Sequence, residues 1–185
     1  MRINKYLALC GVGSRRKVEE YILNGDVKVN GKVVTLLSTD INPKSDKVSY
    51  LDRDVALPMR YVYYKFNKPK GYICSAKDEK GRKTIYDLVK VDNRIFSVGR
   101  LDYNSEGLLL LTNDGDFANK LTHPTNHIDK EYVVTIEGEI TEGELAVLRA
   151  GVVENGKRMP SAKVKLLGYQ NKLSRLSVII DEGQN

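Results

Sequence analysis

Val98-Gly99-Arg100-Leu101-Asp102-Tyr103-Asn104-Ser105-Glu106-Gly107-Leu108-Leu109-Leu110-Leu111-Thr112-Asn113-Asp114-Gly115 holds, in eighteen residues, a strand end, a loop, a strand and a helix start. Ile95-Phe96-Ser97-Val98 reads as a strand that delivers Gly99 to Asp102 into a loop. The four leucines from Leu108 to Leu111 are too few for a long helix. Between Gly107 and Thr112 they predict a strand buried on both faces. Asp114 to Leu121 reads as a short helix, capped by Asn113 or Asp114.

Strands continue on both sides of this stretch. Upstream, Tyr61 to Phe66 and Tyr72 to Cys74 read as strands, with Thr84 to Val89 as about one helical turn. Downstream, Lys130 to Gly138, Ser161 to Leu167 and Leu173 to Ile180 read as strands, with Glu142 to Ala150 as a helix. Strands and helices mix without regular βαβ alternation, so the expected fold class is α+β with a mixed, mostly antiparallel sheet. The N-terminal third differs. Ile3, Tyr6, Leu7 and Leu9 give a short apolar helical face, and Gly11 and Gly13 end it. Ser14 is a good N-cap for a second helix carrying Val18, Tyr21 and Ile22, with Gly25 just past its end. Val27 to Val34 alternate about Asn30-Gly31, a hairpin signal. Residues 40–60 read as one short strand, Lys47 to Leu51, and a linker. Two domains are therefore expected: 1–60, an αα-hairpin module with its linker, and 61–185.

Composition narrows the function classes. The chain has 185 residues, 41% hydrophobic and 29% charged, with a formal net charge of +6. Residues 1–60 hold 11 Lys/Arg against 7 Asp/Glu, so the small domain carries most of the excess. That distribution suits a nucleic-acid grip, although a basic surface kept for solubility also accounts for it. Cys10 and Cys74 are too few, and too far apart, for a disulfide scaffold or a zinc site. No segment approaches the length of a membrane span. A cytoplasmic, monomeric protein away from membranes is expected.

Two constellations carry candidate chemistry. Arg15-Arg16-Lys17 follow Ser14 in the first turn of a helix, where cations oppose the helix dipole. A purely structural helix favours acidic residues there, so the three cations, with Lys28 on the hairpin, point to a phosphate seat rather than a solvated charge run. The second constellation is Arg100 and Asp102, in a loop flanked by Gly99 and Gly107. The spacing suits a structural ion pair as well as a ligand site. Lys65, Lys68, Lys70, Lys77, Lys80, Arg82 and Lys83 form a basic run that either follows an RNA backbone or is solvated. His123 and His127 lack a paired nucleophile and read as structural or surface residues.

Residues 2–34 resemble the small RNA-binding module first known from the fourth small-subunit ribosomal protein. Residues 98–115 closely resemble the catalytic segment of the bacterial small- and large-subunit ribosomal pseudouridine synthases. Asn67-Lys68-Pro69-Lys70-Gly71-Tyr72 resembles that family's first motif, and His123-Pro124 with Lys130-Glu131-Tyr132 its tyrosine segment. Ser105 stands where many members have threonine. The resemblance implies isomerisation of uridine to pseudouridine in structured ribosomal RNA, with no cofactor and no metal. It implies Asp102 as the reacting carboxylate, Arg100 as the residue that helps displace the base, and Tyr132 as the ring that stacks on uracil. Lys68, Lys70, Arg82 and Lys83 would join Arg15, Arg16, Lys17 and Lys28 on the RNA.

The Ser14-Arg15-Arg16 helix start and the Asp78 to Asp87 segment look more like the large-subunit enzymes, with small-subunit RNA as the alternative. A non-catalytic, ribosome-associated RNA-binding protein would not need the second domain, and a glycosylase would usually need a second carboxylate or a positioned water. A carboxylate that works shielded from water needs a neighbouring cation. The resemblance puts that cation in an Arg-rich third motif after a Gly-x-Asn turn, beginning at Glu182 to Asn185, where the sequence stops. A C-terminally truncated, weakly active or inactive chain is the expectation.

Overall fold

The structure, a computed structural model, describes residues 1–58, 60–76, 78, 80–154 and 156–181. It divides into two compact units, Met1–Asn119 and Lys120–Asn185.

The first unit opens with α1 (Ile3–Leu9) and α2 (Arg15–Leu23). Ser14 is extended (φ −68°, ψ 158°), and its hydroxyl accepts the Lys17 N–H at 3.2 Å, a cap worth about 1 kcal/mol. Ile3, Tyr6 and Leu7 of α1 and Val18 and Ile22 of α2 close on Val27, Ile41 and Val48 to form one core. Leu9 stays half-buried. β1 (Val27–Val29) and β2 (Lys32–Val33) pair antiparallel about Asn30-Gly31. Both turn residues have positive φ, 50° and 79°, the twist a two-residue hairpin requires. Residues 40–60 hold more structure than a linker. Beyond the expected β3 (Val48–Tyr50) lies β4 (Arg53–Val55), joined to it through Leu51-Asp52. The sheet runs β2-β1-β3-β4, and the Tyr6 hydroxyl ties α1 to it by donating to the Val55 carbonyl at 3.1 Å.

Next along the chain come β5 (Tyr63–Lys68), α3 (Ile85–Leu88), β6 (Phe96–Val98), β7 (Gly107–Thr112) and α4 (Gly115–Thr122). β7 lies between β5 and β6, antiparallel to both. The leucine run is buried on one face only, because successive side chains in a strand point to opposite sides. Leu109 and Leu111 join Ile85 and Ile95 in the core, whereas Leu108 is 68% exposed. Tyr72 to Cys74 is not a strand: Ile73 makes a single bridge to Thr84. Asp114 caps α4, accepting from the N–H groups of Asp116 and Phe117 at 3.1 and 3.0 Å. Asn113 instead braces the start of β5, accepting from Val62 N–H at 2.8 Å and donating to the Arg60 carbonyl at 3.2 Å.

The second unit holds β8 (Lys130–Glu137), α5 (Glu142–Ala150), the short pair β9 (Val153–Glu154) and β10 (Lys157–Arg158), β11 (Lys163–Gln170) and β12 (Leu173–Ile180). β12 is central in an antiparallel sheet, β11-β12-β8. Leu145 and Leu148 of α5 pack on Ile136, Val164, Leu176 and Val178. The fold class is α+β, as the strand and helix pattern indicates. Among the described residues, no helix is long and apolar enough to cross a membrane.

Candidate active site

The loop between β6 and β7 is short, sharply turned and fastened from below. Gly99 leaves β6 at φ +76°, a region that favours glycine. Ser105 N–H donates to the Asp102 carbonyl at 3.1 Å, closing a turn with Tyr103 and Asn104 at its tip. Three groups from residues 68–74 hold this backbone. The Lys68 ammonium donates to the carbonyls of Asp102 at 2.8 Å, Ser105 at 2.7 Å and Pro69 at 3.2 Å. Gly71 N–H donates to the Tyr103 carbonyl at 2.8 Å. The Cys74 sulfur accepts from Leu101 N–H and donates to the Leu101 carbonyl, both at 3.4 Å. The side chains of Arg100 and Asp102 stand outside this frame, exposed. Among the described residues neither makes an ion pair or side-chain hydrogen bond, so the structural ion pair that their spacing allows is not formed.

Lys68 is corrected from the RNA-facing set. Its side chain is fully buried, and all three ammonium bonds go to backbone carbonyls. A buried ammonium persists only when its hydrogen-bonding capacity is filled, and the loop carbonyls fill it. Lys70 and Lys83 remain exposed, whereas Lys77 lies outside the described residues. Arg82 is exposed but engaged. Its Nη2 donates to Asp78 Oδ1 at 2.8 Å, and its Nε and backbone N–H donate to Oδ2 at 3.2 and 2.7 Å. These bonds from Arg82, guanidinium first, hold the Asp78 carboxyl down to about 2.

In the basic helix start, Arg15 and Arg16 are exposed. Lys17 turns back to pair with Glu20 and lies 5.3 Å from the Tyr21 ring centre. Lys28 pairs with Asp52 at 2.5 Å. Arg15 and Arg16 are therefore the open cations of that turn, while Lys17 and Lys28 would have to exchange partners to reach a phosphate.

In the second unit, Tyr132 stands on β8 directly opposite Val178, on the α5 face of the sheet, and is half-buried. Lys130 anchors the start of the same strand through the carbonyls of Ile128 at 3.0 Å and Asp181 at 2.8 Å. His123 contacts Thr125, and His127 contacts Asp181 at 3.0 Å, so both serve local structure. Glu182 to Asn185 lie outside the described residues.

Comparison with known proteins bears on the whole chain. The model of the RNA pseudouridylate synthase family matches residues 62–185, and that of the S4 domain matches residues 1–47. The ribosomal large subunit pseudouridine synthase B of Bacillus subtilis is 46% identical over 189 residues, covering 100% of this chain and 76% of its own. An uncharacterised RNA pseudouridine synthase of Aquifex aeolicus is 42% identical over 187 residues, covering 100% and 74%. A solved pseudouridylate synthase structure superposes with a TM-score of 0.66 at 28% identity, covering 100% of this chain and 79% of that one. An exposed aspartate on a braced glycine-bounded loop, behind an N-terminal helical module, thus sits in a chain that belongs to the RNA pseudouridylate synthase family.

Proposed function

We propose that this protein isomerises a uridine of large-subunit ribosomal RNA to pseudouridine, with Asp102 as the reacting carboxylate. The reaction breaks the bond from ribose C1′ to uracil N1, turns the base, and joins C1′ to C5. The C5 proton is lost and N1 gains one, so nothing is oxidised or hydrolysed. The observation that carries the reading is the exposed Asp102 side chain on a backbone fastened at Leu101, Asp102, Tyr103 and Ser105. A free carboxylate on a fixed backbone is what a nucleophile or base toward an incoming nucleoside requires. Arg100, exposed on the same loop, is assigned to help displace the base and pair with phosphate, and Tyr132 to stack on the extruded uracil. The choice of large-subunit RNA follows the name of the Bacillus subtilis relative. The test is to incubate the full-length protein with unmodified large- and small-subunit ribosomal RNA and map new pseudouridines. Product in the large-subunit RNA is expected; product only in the small-subunit RNA overturns the choice of substrate, and product in neither overturns the reading.

Residues 1–60 are assigned as the grip on RNA backbone, in the cytoplasm and by a monomer. Arg15 and Arg16 present two open cations beside the free N–H groups of α2. The double substitution Arg15→Ala with Arg16→Ala is expected to weaken RNA binding and reduce the salt slope, log Kd against log salt, by about 1.5–2. An unchanged slope would remove the phosphate seat from the model of binding.

A further inference from the structure

The turn that fixes Asp102 also presents an aromatic ring with no evident structural duty. Tyr103 is the residue after Asp102 at the turn tip, and it is 46% exposed. Its backbone is held by Gly71 N–H at 2.8 Å, so removing the ring leaves the turn's hydrogen bonds in place. The hydroxyl end of the ring lies over Gly71. A Cβ on Gly71, whose φ is +83°, would lie 3.8 Å from the Tyr103 hydroxyl oxygen. Among the described residues, Tyr103 stacks on no other ring, unlike Tyr21 with Tyr50 or Tyr63 with Phe117.

We propose that the Tyr103 ring is a stacking platform for the RNA base next to the extruded uridine. The proposal rests on the reading of Asp102 as the reacting carboxylate. Tyr103 directly follows Asp102 at the same turn, so a nucleoside engaged by Asp102 brings its flanking nucleotides to the loop that carries the Tyr103 ring. Extruding a base exposes the faces of its neighbours, and that lost stacking is part of the cost of base flipping. An aromatic face at the mouth of the site replaces one of those contacts. Tyr103 is thus a recognition residue that contacts the substrate away from the breaking bond.

The experiment uses a hairpin of large-subunit ribosomal RNA containing the uridine that mapping identifies, and two copies with an abasic site on its 5′ or its 3′ side. Binding and conversion are measured for wild type, Tyr103→Leu, Tyr103→Phe and Tyr103→Trp. Base stacking on an aromatic side chain predicts that Tyr103→Leu binds the intact hairpin about 10-fold more weakly. The salt slope stays at the wild-type value, because no cation is removed. Phe and Trp are expected to bind as tightly as Tyr, or more tightly. On one of the two abasic hairpins wild type and Tyr103→Leu should bind equally. Equal binding of the intact hairpin by wild type and Tyr103→Leu overturns the proposal. A Tyr103→Leu penalty undiminished on both abasic hairpins does so too. If Tyr103→Leu does not fold, the Trp variant decides, because a gain on intact RNA that vanishes on one abasic hairpin still requires stacking. If wild type converts no uridine, the reading of Asp102 fails first and the platform falls with it; conversion without any effect at Tyr103 sinks the platform alone.

Discussion

Asp102→Asn abolishes pseudouridine formation, lowering the rate by about 10⁴-fold or more, and leaves the melting temperature where it was. The two halves of this expectation have separate physical origins. The substitution is nearly isosteric and removes only the ionisable oxygen, so it deletes the group proposed to react. The structural work of residue 102 is done by its carbonyl, which accepts from Lys68 at 2.8 Å and from Ser105 N–H at 3.1 Å. Asparagine keeps that carbonyl. The side chain itself is exposed, and exposed substitutions away from caps and networks cost within about 0.5 kcal/mol. Binding of the target RNA is expected to persist, because the phosphate contacts are assigned elsewhere. A variant that still converts uridine at more than a few per cent of the wild-type rate would exclude Asp102 as the reacting carboxylate. A variant that loses RNA binding altogether would show that the loop acts through shape rather than chemistry.

Parts of this architecture are legible in the residues because their signals are local. The Ser14 cap and the Asn30-Gly31 turn each act over a few residues, and each appears where the sequence puts it. The loop bearing Arg100 and Asp102 is legible for the same reason, since Gly99 and Gly107 punctuate two strand patterns. β4 is not legible. Its turn, Leu51-Asp52, has positive φ at both residues, 48° and 60°, yet contains neither Gly nor Asn. That conformation is held by context, including Leu51 N–H donating to the Asp26 carbonyl at 3.0 Å. The four leucines illustrate a different limit. Identical residues carry no alternation, so nothing in them tells which two face α3 and which one is left 68% exposed.

Lys68 is the instructive miss at the site. Read as the second residue of a loop after Phe66, it looks like one more surface cation. Read on the two-residue period of β5, it falls on the same row as Phe66, which packs against the core. The strand runs two residues further than its apolar pattern does, and that extension turns Lys68 inward. Its partners lie 34 and 37 residues away at Asp102 and Ser105, a contact no local rule reaches.

Lys68→Met is therefore the second large effect expected, and its character differs from that of Asp102→Asn. Methionine has a similar length and occupies the same buried space, so the change removes the ammonium and little volume. Three carbonyls, of Pro69, Asp102 and Ser105, then lose their donor in a buried site. Unfilled buried acceptors cost about 1–3 kcal/mol each, but relief from burying a charge offsets part of the sum. A net loss of about 2–4 kcal/mol follows, which for a chain of this size lowers Tm by roughly 5–15 °C. Activity should fall further than stability explains. With the ammonium gone, Asp102 and Ser105 are no longer drawn to one point, and a shift of about 1 Å at a reacting group costs about 100-fold in rate. Measured well below its own melting temperature, Lys68→Met should thus show a kcat reduced by about 100-fold with RNA affinity nearly unchanged. The opposite split, a normal kcat with weakened binding, would return Lys68 to the RNA surface and leave the loop's rigidity to Gly71 and Cys74 alone.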